Sequence, residues 1–119
     1  MKKNIVTLLL LFFLFSCEQL IEVEDISNET LVVLAPSDNI SIDSDFINFS
    51  WVGLEFAETY HLQIAKPNFD VTQQIVEDTL IASTNFIKNL PSGNYQWRIK
   101  AKNFGYETPY ITQNLTIED

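Results

Sequence analysis

Leu90-Pro91-Ser92-Gly93-Asn94-Tyr95-Gln96-Trp97-Arg98-Ile99-Lys100-Ala101-Lys102-Asn103 opens as a turn and continues as an alternating strand. Pro91 and the Ser92-Gly93 pair supply the turn. From Asn94 to Asn103, Tyr95, Trp97, Ile99 and Ala101 share one face and Gln96, Arg98, Lys100 and Lys102 the other. Alternation of this kind is the signature of a half-buried β-strand. Its inner face is aromatic and aliphatic, and its outer face carries three cations.

The same pattern recurs on both sides. Phe46–Val52 puts Ile47, Phe49 and Trp51 on one face, and Thr59–Lys66 puts Tyr60, Leu62 and Ile64 inside with His61 and Gln63 outside. Thr30–Ala35, Val71–Val76, Leu80–Ile87 and Tyr110–Ile117 complete the set, with Glu77-Asp78 read as the turn between the fourth and fifth strands. Seven short strands divided by turn residues predict an all-β, seven-stranded sandwich of the immunoglobulin-like kind. Trp51 and Trp97 point inward and are expected to fill its core. Tyr95, just after the Leu90-Pro91-Ser92-Gly93 turn, suits a tyrosine corner, its hydroxyl bonding backbone upstream.

These residues resemble fibronectin type III domains. Leu90, the Pro/Gly turn, Tyr95 and the run to Ala101-Lys102-Asn103 match that family's E–F turn and F strand, while Trp51 and Tyr60 match its strand B tryptophan and strand C tyrosine. The likeness covers Leu31 to Glu118. The runs Phe49-Ser50-Trp51, Ala57–Ala65, Phe69 and Gly93–Arg98 are also similar to modules of Bacteroidetes surface lipoproteins, including the amino-terminal domains of SusE-type proteins. In those proteins later domains usually hold the sugar, and this chain of 119 residues has no room for them.

The amino-terminal residues read as targeting. Lys2 and Lys3 precede the apolar run Ile5–Phe15, which is too short for a membrane span of about 20 residues and fits the core of an export signal. Leu14-Phe15-Ser16-Cys17 resembles a bacterial lipobox. That resemblance implies a signal peptide over 1–16 and a lipidated Cys17 carrying diacylglyceryl and an amino-terminal acyl chain such as palmitate. Two or more chains anchor stably where one does not. Residues 17–29, with acids at Glu18, Glu22, Glu24, Asp25 and Glu29, are expected to form a solvated tether, the alternative being a short edge strand through Leu20, Ile21, Val23 and Ile26, and 30–119 the domain. The acids after Cys17 also resemble surface-export signals of Bacteroidetes-type lipoproteins; the expected location is the cell envelope, lipid-anchored, at the outer membrane, on its periplasmic or its surface-facing leaflet.

Charge and composition exclude whole classes. The chain has 7 basic and 16 acidic side chains, a net charge of −9; removal of residues 1–16 takes two lysines with it and leaves −11. Nucleic-acid binding needs a basic footprint that this balance lacks. One Cys and one His exclude a disulfide framework and nearly all zinc sites. No cofactor is expected. No serine has a plausible base partner, so the chain is expected to be no enzyme. Asp38, Asp43 and Asp45 lack the glycine and terminal glutamate of a calcium loop. Four Asn-x-Ser/Thr triplets carry no weight behind a bacterial lipobox, while Asp78-Thr79-Leu80 resembles a Bacteroidetes O-glycosylation acceptor placed at the Glu77-Asp78 turn.

The candidate binding face is the outer surface of three strands: His61 and Gln63, Arg98, Lys100 and Lys102, then Tyr110 and Thr112. Three of the five cations left after processing lie on one strand, the natural place to receive an acidic partner. The expected function is a membrane-anchored, non-catalytic module that binds or scaffolds another envelope protein. The alternative is a glycan-binding accessory lipoprotein of a polysaccharide-uptake system, for which Tyr106, Tyr110, Phe104 and Phe56 are the available rings.

Overall fold

The computed structural model describes residues 22–119. The signal segment and Cys17 lie outside them. Eight strands form in chain order: β1 (Val33–Ala35), β2 (Ile40–Ile42), β3 (Phe46–Trp51), β4 (Thr59–Pro67), β5 (Thr72–Ile81), β6 (Asn85–Asn89), β7 (Gly93–Lys102) and β8 (Ile111–Ile117). They make a β-sandwich of one three-stranded sheet, β1-β3-β6, and one five-stranded sheet, β2-β8-β7-β4-β5.

The alternating residues form the layer between the sheets. Trp51 and Trp97 are 1% and 0% exposed, and Phe49, Leu62, Leu90 and Ile99 are equally enclosed. Phe49 meets Trp97 edge-on at 4.9 Å, and Trp51 lies 5.6 Å from Tyr60, the tilted contacts that ring quadrupoles favour. Tyr60 and Tyr95 use their hydroxyls at opposite ends. Leu54 N–H donates to the Tyr60 oxygen at 3.0 Å, and the Tyr95 O–H donates to Pro91 O at 2.6 Å, fastening the turn before β7. Burial raises the Tyr95 pKa above the usual phenol value.

Three boundaries differ from the sequence reading. The eighth strand, β2, is Ile40-Ser41-Ile42, hemmed by turn residues and too short to show a period. It exists because Ile40 and Ile42 pair in parallel with Leu115 and Ile117 of β8, while Asp38 Oδ1 accepts the Asn114 N–H at 2.7 Å. Second, Glu77-Asp78 is no turn. Both acids find partners, Lys88 and His61, and β5 runs through them; the bend falls at residues 82–84, where Ser83 Oγ donates to Asn85 O. Thr79 therefore sits in mid-strand opposite Leu62, half-buried, and the accessible turn expected around Asp78-Thr79-Leu80 does not form.

Third, the core begins before Thr30. Ile26, assigned to the tether, is 2% exposed and packs with Leu31 in the main apolar cluster. It enters from an irregular segment closed by the Glu29 N–H to Ile26 O bond, so no strand periodicity announces it.

Candidate functional site

The register of the five-stranded sheet sets the expected binding residues side by side. Gln63 pairs with Arg98, and Arg98 with Thr112; His61 pairs with Lys100. Directly opposed residues share a face, so these residues occupy the outer surface, together with Asp78 and Leu80 across from Gln63 and His61. Tyr110 lies just before β8 at the same surface.

These side chains are wired to one another. The Arg98 guanidinium lies between two rings, 4.0 Å from the Phe69 centroid and 4.3 Å from that of Tyr110, and its Nε donates to Gln63 Oε1 at 2.7 Å. Phe69 is itself placed by its N–H bond to Gln96 Oε1, 2.9 Å. Lys100 packs its ammonium 4.5 Å from the Tyr110 centroid and 3.1 Å from Glu107 Oε1, with only 14% of its side chain exposed. Lys102 makes no ion pair among the described residues. The three cations are therefore not an equivalent row: two are held by their own neighbours, and half-buried Lys102 has no acidic partner among the described residues.

His61 links Asp78 to Tyr110. Its Nε2 meets Asp78 Oδ1 at 2.5 Å and its Nδ1 meets the Tyr110 hydroxyl at 2.9 Å. With Nε2–H donating to the carboxylate, Nδ1 accepts the Tyr110 O–H. The hydrogen bond from His61, chiefly, holds the Asp78 carboxyl below its usual pKa against a small opposing desolvation. This chain of three has the order of a proton relay. It ends, however, on a phenol whose ring packs against Arg98 and Lys100, and the described residues place no nucleophile next to it.

What the face does offer is the guanidinium. Stacking fixes its plane and Gln63 takes one donor, while the terminal nitrogens have no acceptor among the described residues. A planar fork with its orientation set in advance matches a carboxylate in two-point contact. Phe69, Gln96, Asp78 and Glu107 were not among the residues expected at the binding face. Alternation puts Gln96 on the outer side of its strand, but the partners of Phe69, Asp78 and Glu107 are set by contacts between segments distant in sequence.

A second feature lies where the β3–β4 and β7–β8 loops meet the amino-terminal segment. A cleft of about 600 Å³ opens there between Val23 and Glu24, Phe56–Glu58 and Phe104. Asn103 holds its walls: Nδ2 donates to Glu24 O at 2.7 Å and to Phe56 O at 3.3 Å, while Oδ1 accepts the Gly105 and Tyr106 N–H groups. Phe56 adopts a left-handed φ of 68°, which is uncommon for a bulky residue. Phe104 is 87% exposed and Phe56 56%. Of the rings available for stacking on a sugar, these two and Tyr106, 41% exposed, are accessible, whereas Tyr110 is packed against Arg98 and Lys100.

Comparison with known structures places the sandwich among fibronectin type III folds. The fibronectin(III)-like modules of Clostridium thermocellum CbhA superpose with a TM-score of 0.55 at 9% identity, over 75% of this chain and 96% of theirs. The fibronectin type III domain of human KIAA0970 protein gives 0.53 at 16%, over 73% and 72%. FN3tt mut gives 0.51 at 14%, over 76% and 93%. No protein-family model matches the sequence, and no curated protein does.

Proposed function

We propose that this chain is a lipid-anchored, non-catalytic binding module of the cell envelope, whose β4–β7–β8 face engages an acidic segment of another envelope protein. One observation carries the reading. Arg98 is clamped between Phe69 and Tyr110 with its terminal nitrogens unpaired among the described residues. Holding the side chain in place beforehand removes part of the entropy cost of binding. Lys102, without an ion pair among the described residues, adds attraction at longer range. Charge pairs on such a face act more on selectivity and encounter rate than on affinity.

The anchor rests on the order of features in the sequence: Lys2-Lys3, the apolar run to Phe15, Ser16 and Cys17. Cys17→Ala should leave the protein unprocessed or released from the membrane fraction; normal membrane retention with normal cleavage would refute lipidation. For the face, a photo-crosslinker at exposed Thr112 should give a discrete adduct in intact cells, lost in Arg98→Gln and weakened as salt rises and the Debye length falls to about 8 Å. An adduct indifferent to Arg98→Gln and to salt would refute the site. The glycan-uptake alternative draws its support from the exposed rings of Phe104 and Phe56.

A further inference from the structure

We infer that the cleft between Phe56 and Phe104 is a second binding site, of opposite charge preference to the Arg98 face, and that its occupant is an arginine- or lysine-bearing segment of a protein partner. The lining combines two aromatic rings with three carboxylates, Glu22, Glu24 and Glu58, and includes no basic side chain. Rings and carboxylates together suit a cation on an apolar stem. The stem packs on the ring faces, the charge is drawn by the ring quadrupole, and the carboxylates supply charge-assisted hydrogen bonds.

Three further observations bear on the occupant. Phe104 is left 87% exposed and Phe56 56%, although neither is needed by the core cluster. The walls are fixed by Asn103 before anything binds, and Gly105 lies close to Val23, so the cleft is a built concavity. The surrounding charge is predominantly acidic: Asp25, Glu29 and Glu55 lie beside the lining, with Lys102 the neighbouring cation, and the chain after removal of residues 1–16 carries −11. An anionic lipid surface is repelled by such an end. A neutral sugar would use the rings but gain little from the charge. A basic segment uses both.

The test uses the full chain in a nonionic detergent and a capped peptide with two arginines, titrated calorimetrically beside the same peptide with citrulline in their place. Citrulline keeps the shape and removes the charge. The arginine peptide should bind at least about ten times more tightly than its citrulline twin. Glu22→Gln/Glu24→Gln/Glu58→Gln should lose that preference while keeping its melting temperature, and Phe104→Ala should weaken binding severalfold. Arg98→Gln should leave it unchanged, which separates this site from the β4–β7–β8 face. Equal affinity for both peptides, or no binding of either, overturns the inference. So does tighter binding of uncharged maltoheptaose that Phe104→Ala abolishes and the glutamine variant leaves intact, an outcome that would assign the cleft to a glycan.

Discussion

Ile26→Ala measures where the folded domain begins. Ile26 is 2% exposed and belongs to the cluster that holds Trp51 and Trp97, yet it precedes every strand. Removing an isoleucine from water is worth roughly 1.5–3 kcal/mol. Truncation to alanine in a rigid core costs about 2–5 kcal/mol once the cavity is included. Ile26 sits on an irregular segment, where neighbours can close part of the void, so the lower part of that range applies, about 2–3.5 kcal/mol. In a domain of this size each kcal/mol moves the midpoint by about 4–8 °C, so Tm should fall by roughly 10–25 °C. Urea unfolding followed by tryptophan fluorescence suits the measurement, because Trp51 and Trp97 report on the core that Ile26 touches. Ile26→Val, losing one methylene, should cost only about 0.5–1.5 kcal/mol. If Ile26→Ala costs less than about 1 kcal/mol, the residue is detachable and the domain starts at Thr30 after all.

Trp51→Ala, in the centre of the sandwich, should cost about 3–5 kcal/mol by the same assay; below about 1 kcal/mol the burial assigned to it is wrong. Tyr95→Phe deletes the hydroxyl that bonds Pro91 O and should cost about 0.5–1.5 kcal/mol, and no change would deny the corner a stabilising role. Asp78 has its folded pKa depressed by His61, so its contribution is present above the unfolded value near 4 and is lost as pH falls through the folded one. Its side chain is 54% exposed, which limits the effect to about 1 kcal/mol at most. Asp78→Asn should therefore be slightly less stable than the parent at pH 7 and equal to it in strong acid; a gap that widens on acidification reverses the assignment.

The sandwich was legible because its central strands alternate. Phe46–Val52, Thr59–Lys66 and Asn94–Asn103 each set apolar residues at every second position, and the burial of Trp51, Tyr60, Tyr95 and Trp97 follows from that period, while the buried Leu90 was marked by its place before the turn in the resemblance to fibronectin type III domains. The edges were not. Ile40–Ile42 is a strand only because β8 lies beside it, and Ile26 is core only because the chain folds back over the sheet ends. The binding face was legible as a set of residues, since strand parity puts Gln63, Arg98 and Thr112 together. Its electrostatics were not legible. Whether a cation is free depends on what stands next to it in space, and Phe69 and Glu107 reach Arg98 and Lys100 from loops whose course no periodicity encodes. The cleft depends likewise on three separate segments that meet at Asn103.

Strand β5 has a bearing on how the protein meets its own copies as it folds. It is ten residues long, borders the five-stranded sheet and, among the described residues, pairs only with β4, which leaves a row of backbone donors and acceptors without a partner strand there. Val71, Ile75 and Leu80 are exposed in and just before it, the composition that recruits a neighbouring strand in a crowded compartment. Glu77 and Asp78 stand in the middle of that edge. A second copy pairing there in antiparallel register would bring four carboxylates together, with Lys88 and His61 of each copy already paired to its own Glu77 and Asp78. A chain that folds among many identical copies meets that hazard at every synthesis. The two acids that resemble a turn in the sequence act as a gatekeeper against it.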